Sequence, residues 1–183
     1  FAQQVNSYNK GINAVLTADI VVNAKVLNAD GTLNTDLKNL IEWTPIGNYY
    51  KRNSGTFDGN NHTISGLYLD KNIEYAGLFG YNSGTIKNVG VIDSYFKGKD
   101  YVGGVCGQNF NIITNVYNTG TVNGNSIVGG VCGHNDGGAI ENNYNTGSVS
   151  GSSDVGGVCG YSYYGTIKNS YYNNSISNKA VGS

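Results

Sequence analysis

The sequence predicts an all-β chain that folds as a parallel β-helix, a β-solenoid in which the short strands of successive coils lie above one another. Three observations predict this fold class: a glycine-rich composition with almost no proline, a motif that recurs at constant spacing, and columns of like residues in register with the motif. The chain has 183 residues, with 28 glycines, 15 tyrosines and a single proline, a composition typical of turn-rich β structure. We therefore expect few helices.

The recurring motif is a five-residue segment rich in glycine. Residues 76–80 align with three copies of Gly-Gly-Val-Cys-Gly at 103–107, 129–133 and 156–160, with steps of 27, 26 and 27 residues. Such a period is the signature of a repeat architecture, because one unit cannot bury its apolar face alone whereas stacked units can. The period therefore sets one coil at about 26–27 residues.

Columns of side chains keep the same period as the motif. Isoleucine occurs once per coil and is followed two residues later by asparagine. The columns are Ile86, Ile113, Ile140 and Ile167, then Asn88, Asn115, Asn142 and Asn169, and further along Val122, Val149 and Ile176. We expect the β-branched isoleucines inside the stack. We expect the asparagines at a corner, where asparagine tolerates left-handed backbone and stacked amides can hydrogen-bond along the column.

Each repeat contains three strand-like pieces, for example 128–133, 139–144 and 147–150. Gly, Asn, Asp and Ser separate the pieces and tolerate the conformations that corners need. Three short strands and three corners would make one coil, and stacking at the strand spacing pairs the backbone donors of one coil with the next. The general preference of parallel connections favours a right-handed path.

We divide the chain into an N-terminal capping region, 1–50, and the coils of the β-helix, 51–183, which together form one structural domain. Residues 1–7 have the length for a short helix, and Trp43 and Ile46 can pack on the end of the core. A cap is expected because the open end of a solenoid exposes apolar core and unpaired strand edges.

The three cysteines, Cys106, Cys132 and Cys159, occupy one equivalent place in successive repeats. Their odd number leaves at least one unpaired within the chain, and free cysteine behaves as a small hydrophobe, so a stack of buried thiols is the favoured interpretation. The only histidines are His62 and His134, and the close Cys-x-x-Cys pairs of zinc sites are missing. We therefore expect no metal site and no cofactor.

The distribution of charge argues against several function classes. Eleven basic residues nearly balance twelve acidic ones, so no basic stripe is present to bind nucleic acid. No apolar run approaches the length of a membrane span. The position before the asparagine column reads Lys87, Thr114, Glu141 and Lys168, which is not a column of paired carboxylates and is more typical of a solvated face. We therefore expect no enzyme activity.

Tyrosines are the candidate ligand-binding residues. Tyr117, Tyr144 and Tyr171 form one column, and Tyr161, Tyr163 and Tyr164 crowd the last coil. Exposed aromatic rings can stack on sugar rings or anchor a protein partner. The alternative is that these tyrosines line the core or shield a sheet.

With these motifs the sequence resembles the bacterial GLUG-motif family. The naming element is Gly-Leu-Phe-Gly at 77–80, and valine replaces leucine at 104–107, 130–133 and 157–160. The segments 16–20, 43–47 and 55–65 follow the order found ahead of the repeats in such proteins. The resemblance implies an extracellular location, on the bacterial cell surface or secreted, within a longer parent protein that carries further domains.

The same resemblance implies a function without catalysis. Related proteins include adhesin-like surface proteins, which predicts adhesion to host or matrix glycan or protein. Similar repeats also accompany some immunoglobulin A proteases outside their catalytic parts. The alternative is therefore an accessory or spacer domain of a larger secreted enzyme, such as an immunoglobulin A protease or a glycan-degrading protein. The chain has no His-Glu-x-x-His metalloprotease motif, so that chemistry is not carried over.

Overall fold

The chain forms a parallel β-solenoid with almost no helix. The computed structural model describes residues 1–7, 11–173 and 179–182. Within them a short helix, α1 (Ala2–Asn6), precedes 23 short strands. No helix in these ranges is long and apolar enough to cross a membrane. The predicted fold class is confirmed, and Ile176 of the valine-rich column lies outside the described residues.

The strands fall into groups that follow the repeats. The strands before the first regular coil are β1 (Ala14–Val15), β2 (Ile20–Val21), β3 (Thr56–Asp58), β4 (Thr63–Ser65) and β5 (Tyr68–Asp70). The next coil contains β6 (Phe79–Asn82), β7 (Thr85–Lys87), β8 (Gly90–Ile92), β9 (Tyr95–Lys97) and β10 (Asp100–Gly103). It is followed by β11 (Cys106–Asn109), β12 (Ile112–Thr114), β13 (Tyr117–Asn118), β14 (Thr121–Asn123) and β15 (Ser126–Gly129). The third coil contains β16 (Cys132–Asp136), β17 (Ala139–Glu141), β18 (Tyr144–Asn145), β19 (Val149–Ser150) and β20 (Ser153–Gly156). The last described strands are β21 (Cys159–Tyr163), β22 (Thr166–Lys168) and β23 (Tyr171–Tyr172).

These strands stack into five parallel sheets that run along the solenoid. The isoleucine sheet has the order β1-β3-β7-β12-β17-β22, and the tyrosine sheet has the order β2-β4-β8-β13-β18-β23. The cysteine sheet is β6-β11-β16-β21, the valine sheet is β5-β9-β14-β19, and the arch sheet is β10-β15-β20. Each strand pairs with the equivalent strand of the next coil, so the repeat period sets the register.

A coil has five short strands and not the three that the sequence predicts. The expected piece 128–133 is divided by the Gly-Gly turn into β15 and β16, and the piece 139–144 is divided at Asn142 into β17 and β18. Asn142 has a left-handed φ of 58°, and an extended strand cannot continue through such a residue. Turns inside the apolar pieces therefore add two corners to each coil.

The core is a set of in-register apolar columns. Ile113 pairs with Ile86 on one side and with Ile140 on the other, and all three are fully buried. Cys106 pairs in the same way with Phe79 and Cys132, and the three cysteine thiols are free and buried. The interior therefore consists of like side chains packed at one strand spacing, which is the geometry of a stacked parallel sheet.

The last glycine of the recurring motif lies where two strands of the solenoid approach closely. A Cβ atom on Gly133 would lie 2.7 Å from the Tyr101 carbonyl carbon and 2.7 Å from the Val102 nitrogen. A Cβ atom on Gly107 would meet the backbone of Tyr75 at the same distance. The glycine is needed because strand β10 of the arch sheet lies directly against strand β16 of the cysteine sheet.

Residues of the 1–50 region lie over the N-terminal end of the core. Helix α1 buries Val5 and is preceded by Phe1, whose ring centroid lies 5.4 Å from that of Phe57 and 6.4 Å from that of Phe79. Trp43 donates a hydrogen bond from Nε1 to the Gly77 carbonyl oxygen at 3.1 Å. Strands β1 and β2 pair with β3 and β4, so this region also adds an outer rung to two of the sheets.

Candidate binding groove at the asparagine corner

The asparagine column forms the corner between the isoleucine sheet and the tyrosine sheet. Asn88, Asn115, Asn142 and Asn169 all have left-handed backbone, with φ between 45° and 58°. Asparagine is the residue after glycine that accepts this conformation most readily, because its short amide can bond locally. Asn61 has a φ of 65° and lies 27 residues before Asn88, so it extends the corner by one coil.

The side-chain amides of this corner are only partly used by the column itself. Asn115 Nδ2 donates to Asn88 Oδ1, and Asn169 Nδ2 donates to Asn142 Oδ1, both at 3.2 Å. Within the described residues no hydrogen bond joins Asn115 to Asn142, and both side chains are exposed. The middle of the column therefore presents one amide acceptor, Asn115 Oδ1, and one amide donor, Asn142 Nδ2, to solvent.

The tyrosine column lies beside the asparagine corner. Tyr117 pairs with Gly90 of the preceding coil, and its ring covers that glycine so closely that a Cβ atom there would lie 2.2 Å from Tyr117 Cζ. The ring of Tyr144 stacks on that of Tyr117, with centroids 4.8 Å apart and planes 1° from parallel. Burial raises the pKa of Tyr117. Its hydroxyl would be protonated at neutral pH even at the ordinary tyrosine pKa of about 10, so it can donate a hydrogen bond.

The upper part of the tyrosine column is more open than the lower part. Tyr171 is in register with Tyr144, and the two side chains are 69% and 43% exposed. Among the described residues no ring stacking joins Tyr144 to Tyr171. The face of the Tyr144 ring that points away from Tyr117 is therefore available to a ligand.

The corner and the tyrosines together line a continuous groove. One part has a volume of about 280 Å³ and extends from Asn61 to Tyr144. The next part has a volume of about 410 Å³ and lies between Asn142, Tyr144 and Tyr171. The two parts share Asn142 and Tyr144, so they form one groove parallel to the solenoid axis, which we call the asparagine–tyrosine groove. The residues that line it are Asn61, Asn88, Val89, Gly90, Asn115, Val116, Tyr117, Asn142, Asn143, Tyr144, Asn169 and Tyr171.

The other predicted binding tyrosines lie elsewhere on the solenoid. Tyr161 belongs to the cysteine sheet and pairs with His134, while Tyr163 and Tyr164 lie at and just after the end of strand β21. The ring centroids of Tyr163 and Tyr164 are 4.2 Å apart, and the two side chains are 47% and 85% exposed. The structure therefore separates the two sets of candidate tyrosines and does not combine them into one site.

A second asparagine ladder runs through the interior, and the sequence analysis missed it. Asn82, Asn109 and Asn135 each follow the Phe or Cys of the motif by three residues and are fully buried. Asn82 Nδ2 donates to Asn109 Oδ1 at 2.8 Å, and Asn109 Nδ2 donates to Asn135 Oδ1 at 2.9 Å. The signal was present in the sequence as a second asparagine column with the repeat period, at 82, 109 and 135. Its role is structural, because buried amides must be paired.

An aromatic cluster on the cysteine sheet was also missed. Arg52 Cζ lies 4.9 Å from the ring centroid of Tyr81 and 5.2 Å from that of Phe110, which are cation–π distances. Burial raises the pKa of Tyr81 to about 12, although the nearby guanidinium opposes this shift. His134 lies between Tyr101 and Tyr161, and burial lowers its pKa. These contacts join successive coils on the face formed by the cysteine sheet.

The expected solvated face carries an ion pair. Lys87 Nζ lies 3.1 Å from Asp58 Oδ2 of the preceding coil. Among the described residues no group of three or more His, Cys, Asp or Glu side chains could hold a metal ion. The arrangement that these surfaces do offer is a groove lined by asparagine, tyrosine, valine and glycine.

Comparison with known proteins identifies the repeat. The family described as "The GLUG motif" matches residues 100–123, which span β10 to β14. The resemblance to the GLUG motif is therefore confirmed, and the chain is a repeat module that contains this motif. No solved structure matches the chain significantly.

Two curated relatives match part of the chain. Halomucin from Haloquadratum walsbyi is 41% identical over 75 residues, which is 39% of this chain and 1% of that protein. A putative Gly-rich membrane protein from Evansella cellulosilytica is 31% identical over 80 residues, which is 40% of this chain and 9% of that protein. The matched segments are thus a small part of both relatives.

Proposed function

We propose that this chain is a non-catalytic binding module of a cell-surface or secreted protein, and that it adheres to host or matrix glycan or protein through the asparagine–tyrosine groove. The observation that carries the proposal is the groove itself, where tyrosine rings repeat over successive coils beside a corner that presents the amide acceptor of Asn115 and the amide donor of Asn142.

The exposure of the tyrosines supports this proposal. Tyr144 and Tyr171 leave 43% and 69% of their surface in water, although burying an aromatic ring would stabilise the fold. Tyrosine is enriched at the centres of binding surfaces because it offers a large apolar area, a polar hydroxyl and few rotatable bonds. A tyrosine column kept at the surface beside hydrogen-bonding amides is therefore better explained by recognition than by packing.

The rigidity of the scaffold supports it as well. Each groove residue is held by the backbone bonds between coils, for example from Tyr117 N to Val89 O and from Tyr144 N to Val116 O, both at 3.1 Å. A preformed site loses little conformational entropy when a ligand binds. The relatives named halomucin and Gly-rich membrane protein support a location at the cell surface.

The experiment that tests this function is binding of the purified chain to arrays of glycans and extracellular-matrix proteins. The groove variant carries Tyr144→Ala and Tyr171→Ala. The matched control carries Tyr50→Ala, because Tyr50 is 75% exposed and lies outside the groove. A further variant, Tyr164→Ala, tests the separate cluster of the last coil. Far-UV circular dichroism establishes that each variant retains the β-rich fold.

We expect saturable binding by the parent chain and by the Tyr50 control, and loss of binding by the groove variant. Loss only in the Tyr164 variant would move the site to the last coil. Binding that survives in the folded groove variant, or a folded parent chain that binds nothing, would refute the proposed role of the groove.

The second candidate function is a spacer or accessory domain of a larger secreted enzyme. One observation favours it: the matched segments cover only 1% and 9% of the two relatives, as expected for one module in a long chain. A spacer needs length and stability but no ligand. It therefore predicts that groove substitutions change neither binding nor the function of the parent protein.

A further inference from the structure

We propose that the ligand of the asparagine–tyrosine groove is a neutral, unbranched glycan chain that lies parallel to the solenoid axis. This inference rests on the proposed function and narrows it to one class of ligand.

The direction of the groove indicates an elongated ligand. The corner repeats Asn61, Asn88, Asn115, Asn142 and Asn169 once per coil. Five rungs at a strand spacing of about 4.8 Å extend over roughly 19 Å. Adjacent stacked tyrosine rings are separated by the same spacing, with 4.8 Å between the centroids of Tyr117 and Tyr144. A ligand with repeating units along its length can meet equivalent groups on successive coils, whereas a compact ligand would use only one.

The lining of the groove contains no charged side chain. It consists of asparagine, tyrosine, valine and glycine side chains. The charged groups beside this lining are of both signs. Lys87 is paired with Asp58 at 3.1 Å. Glu141 and Lys168 end strands β17 and β22 next to the corner, and Asp19 lies close enough to contribute to the raised pKa of Tyr117. A polyanion or polycation would lose hydration in this groove and would meet attracting and repelling groups in turn, without a row of counter-charges of one sign, which is costly. A neutral polymer avoids that cost.

The free hydrogen-bonding groups suit hydroxyls better than peptide groups. An extended peptide binds a sheet by adding a strand to an open edge, but in the groove the backbone N–H groups of Tyr117 and Tyr144 already donate to the preceding coil. What remains is the amide acceptor of Asn115, the amide donor of Asn142 and the tyrosine hydroxyls. A hydroxyl both donates and accepts. Sugar hydroxyls can therefore bond to the acceptor, to the donor and to the tyrosine hydroxyls, whichever way the glycan chain runs along the groove.

The open face of Tyr144 completes the fit. Sugar rings carry an apolar C–H face as well as hydroxyl groups, and aromatic rings provide a flat apolar surface that can receive it. The groove between Tyr144 and Tyr171 has a volume of about 410 Å³. One sugar unit would stack there, and the units that follow would bond to the amides of the lower coils.

The test is isothermal titration calorimetry of the intact chain with cello-, chito-, malto- and manno-oligosaccharides, each from the disaccharide to the hexasaccharide. Oligogalacturonides of the same lengths serve as charged analogues. We expect affinity for at least one neutral series to rise with each added unit and then level off once the groove is filled. We expect the oligogalacturonides to bind more weakly.

The Tyr144→Ala variant should bind the longest ligand at least about tenfold more weakly, the size expected for the loss of a central aromatic contact. The Tyr144→Phe variant keeps the ring and should retain most of the affinity, and the Tyr50→Ala control should be unchanged. Equal affinity for short and long oligomers, preference for the oligogalacturonides, or no binding to any neutral series would overturn the glycan assignment. If a matrix protein instead bound in a manner that required Tyr144, the glycan assignment would fall and the proposed binding function would stand.

Discussion

Replacing Asn109 with alanine should lower the free energy of unfolding by about 4 kcal/mol. The buried Asn109 amide accepts a hydrogen bond from Asn82 at 2.8 Å and donates to Asn135 at 2.9 Å. Alanine leaves one N–H of Asn82 and the Oδ1 atom of Asn135 without their ladder partner. Each orphaned buried group costs about 1–3 kcal/mol, so the two together cost about 2–6 kcal/mol.

The matched control is Asn115→Gly at the exposed corner. Asn115 has the same chemistry, but its amide is exposed and donates a single bond of 3.2 Å to Asn88. Glycine accepts the left-handed backbone at this position, where φ is 53°. Water can replace the lost bond, so we expect a loss below about 1 kcal/mol.

The measurement is equilibrium unfolding in urea, followed by far-UV circular dichroism and by the fluorescence of Trp43. Coincident transitions would justify a two-state analysis, and linear extrapolation then gives the free energy in water. If Asn109→Ala lost less than about 1 kcal/mol, the argument that the interior amides are paired out of necessity would be wrong.

Three further predictions follow from the packing and charges of the coils. Gly133→Ala should destabilise the chain by more than about 2 kcal/mol, because the added methyl group would meet the Tyr101 backbone at 2.7 Å. Thermal unfolding measures this loss, and an unchanged melting temperature would contradict the prediction. The three stacked thiols are buried, and burial raises the pKa of Cys132 well above its usual range, so a maleimide should label none of them in the folded chain and all of them in urea. Burial alone would raise the pKa of Asp58, but hydrogen bonds led by that from Asn88 hold it below its ordinary value. The stability that Asp58 contributes is therefore present above about pH 4 and is lost as pH falls through its lowered pKa. In the Asp58→Asn variant the melting temperature should fall less steeply as the solution is acidified. An identical pH dependence in the parent and the variant would refute this contribution.

The difference between three and five strands per coil shows where pattern reasoning reaches its limit. The piece 128–133 contains residues of two strands, and no polar residue marks the turn within it. The Gly-Gly turn lies where the arch sheet packs against the cysteine sheet, for example where β15 contacts β21 of a later coil. A turn that depends on a neighbouring coil is not visible in one repeat.

The tyrosines are a second case in which spacing predicted the register of residues but not where they lie on the surface. Their spacing places Tyr117, Tyr144 and Tyr171 in one column and Tyr161 in another, and the structure has these registers. The spacing does not say whether the last-coil tyrosines share a surface with that column. They do not, because corners of the coil separate the cysteine sheet from the tyrosine sheet.

The sequence by itself determined the period, the register and the parallel stacking of the coils, because like residues at constant spacing can satisfy one another only when each coil lies directly above the last. It did not determine which asparagine column faces water. Asn115 and Asn109 both recur with the period, yet the first lies at an exposed corner with left-handed backbone and the second is buried in the interior. Only the tertiary structure decided between them, because the direction of a side chain depends on where the chain turns, and the turns are fixed by contacts between coils.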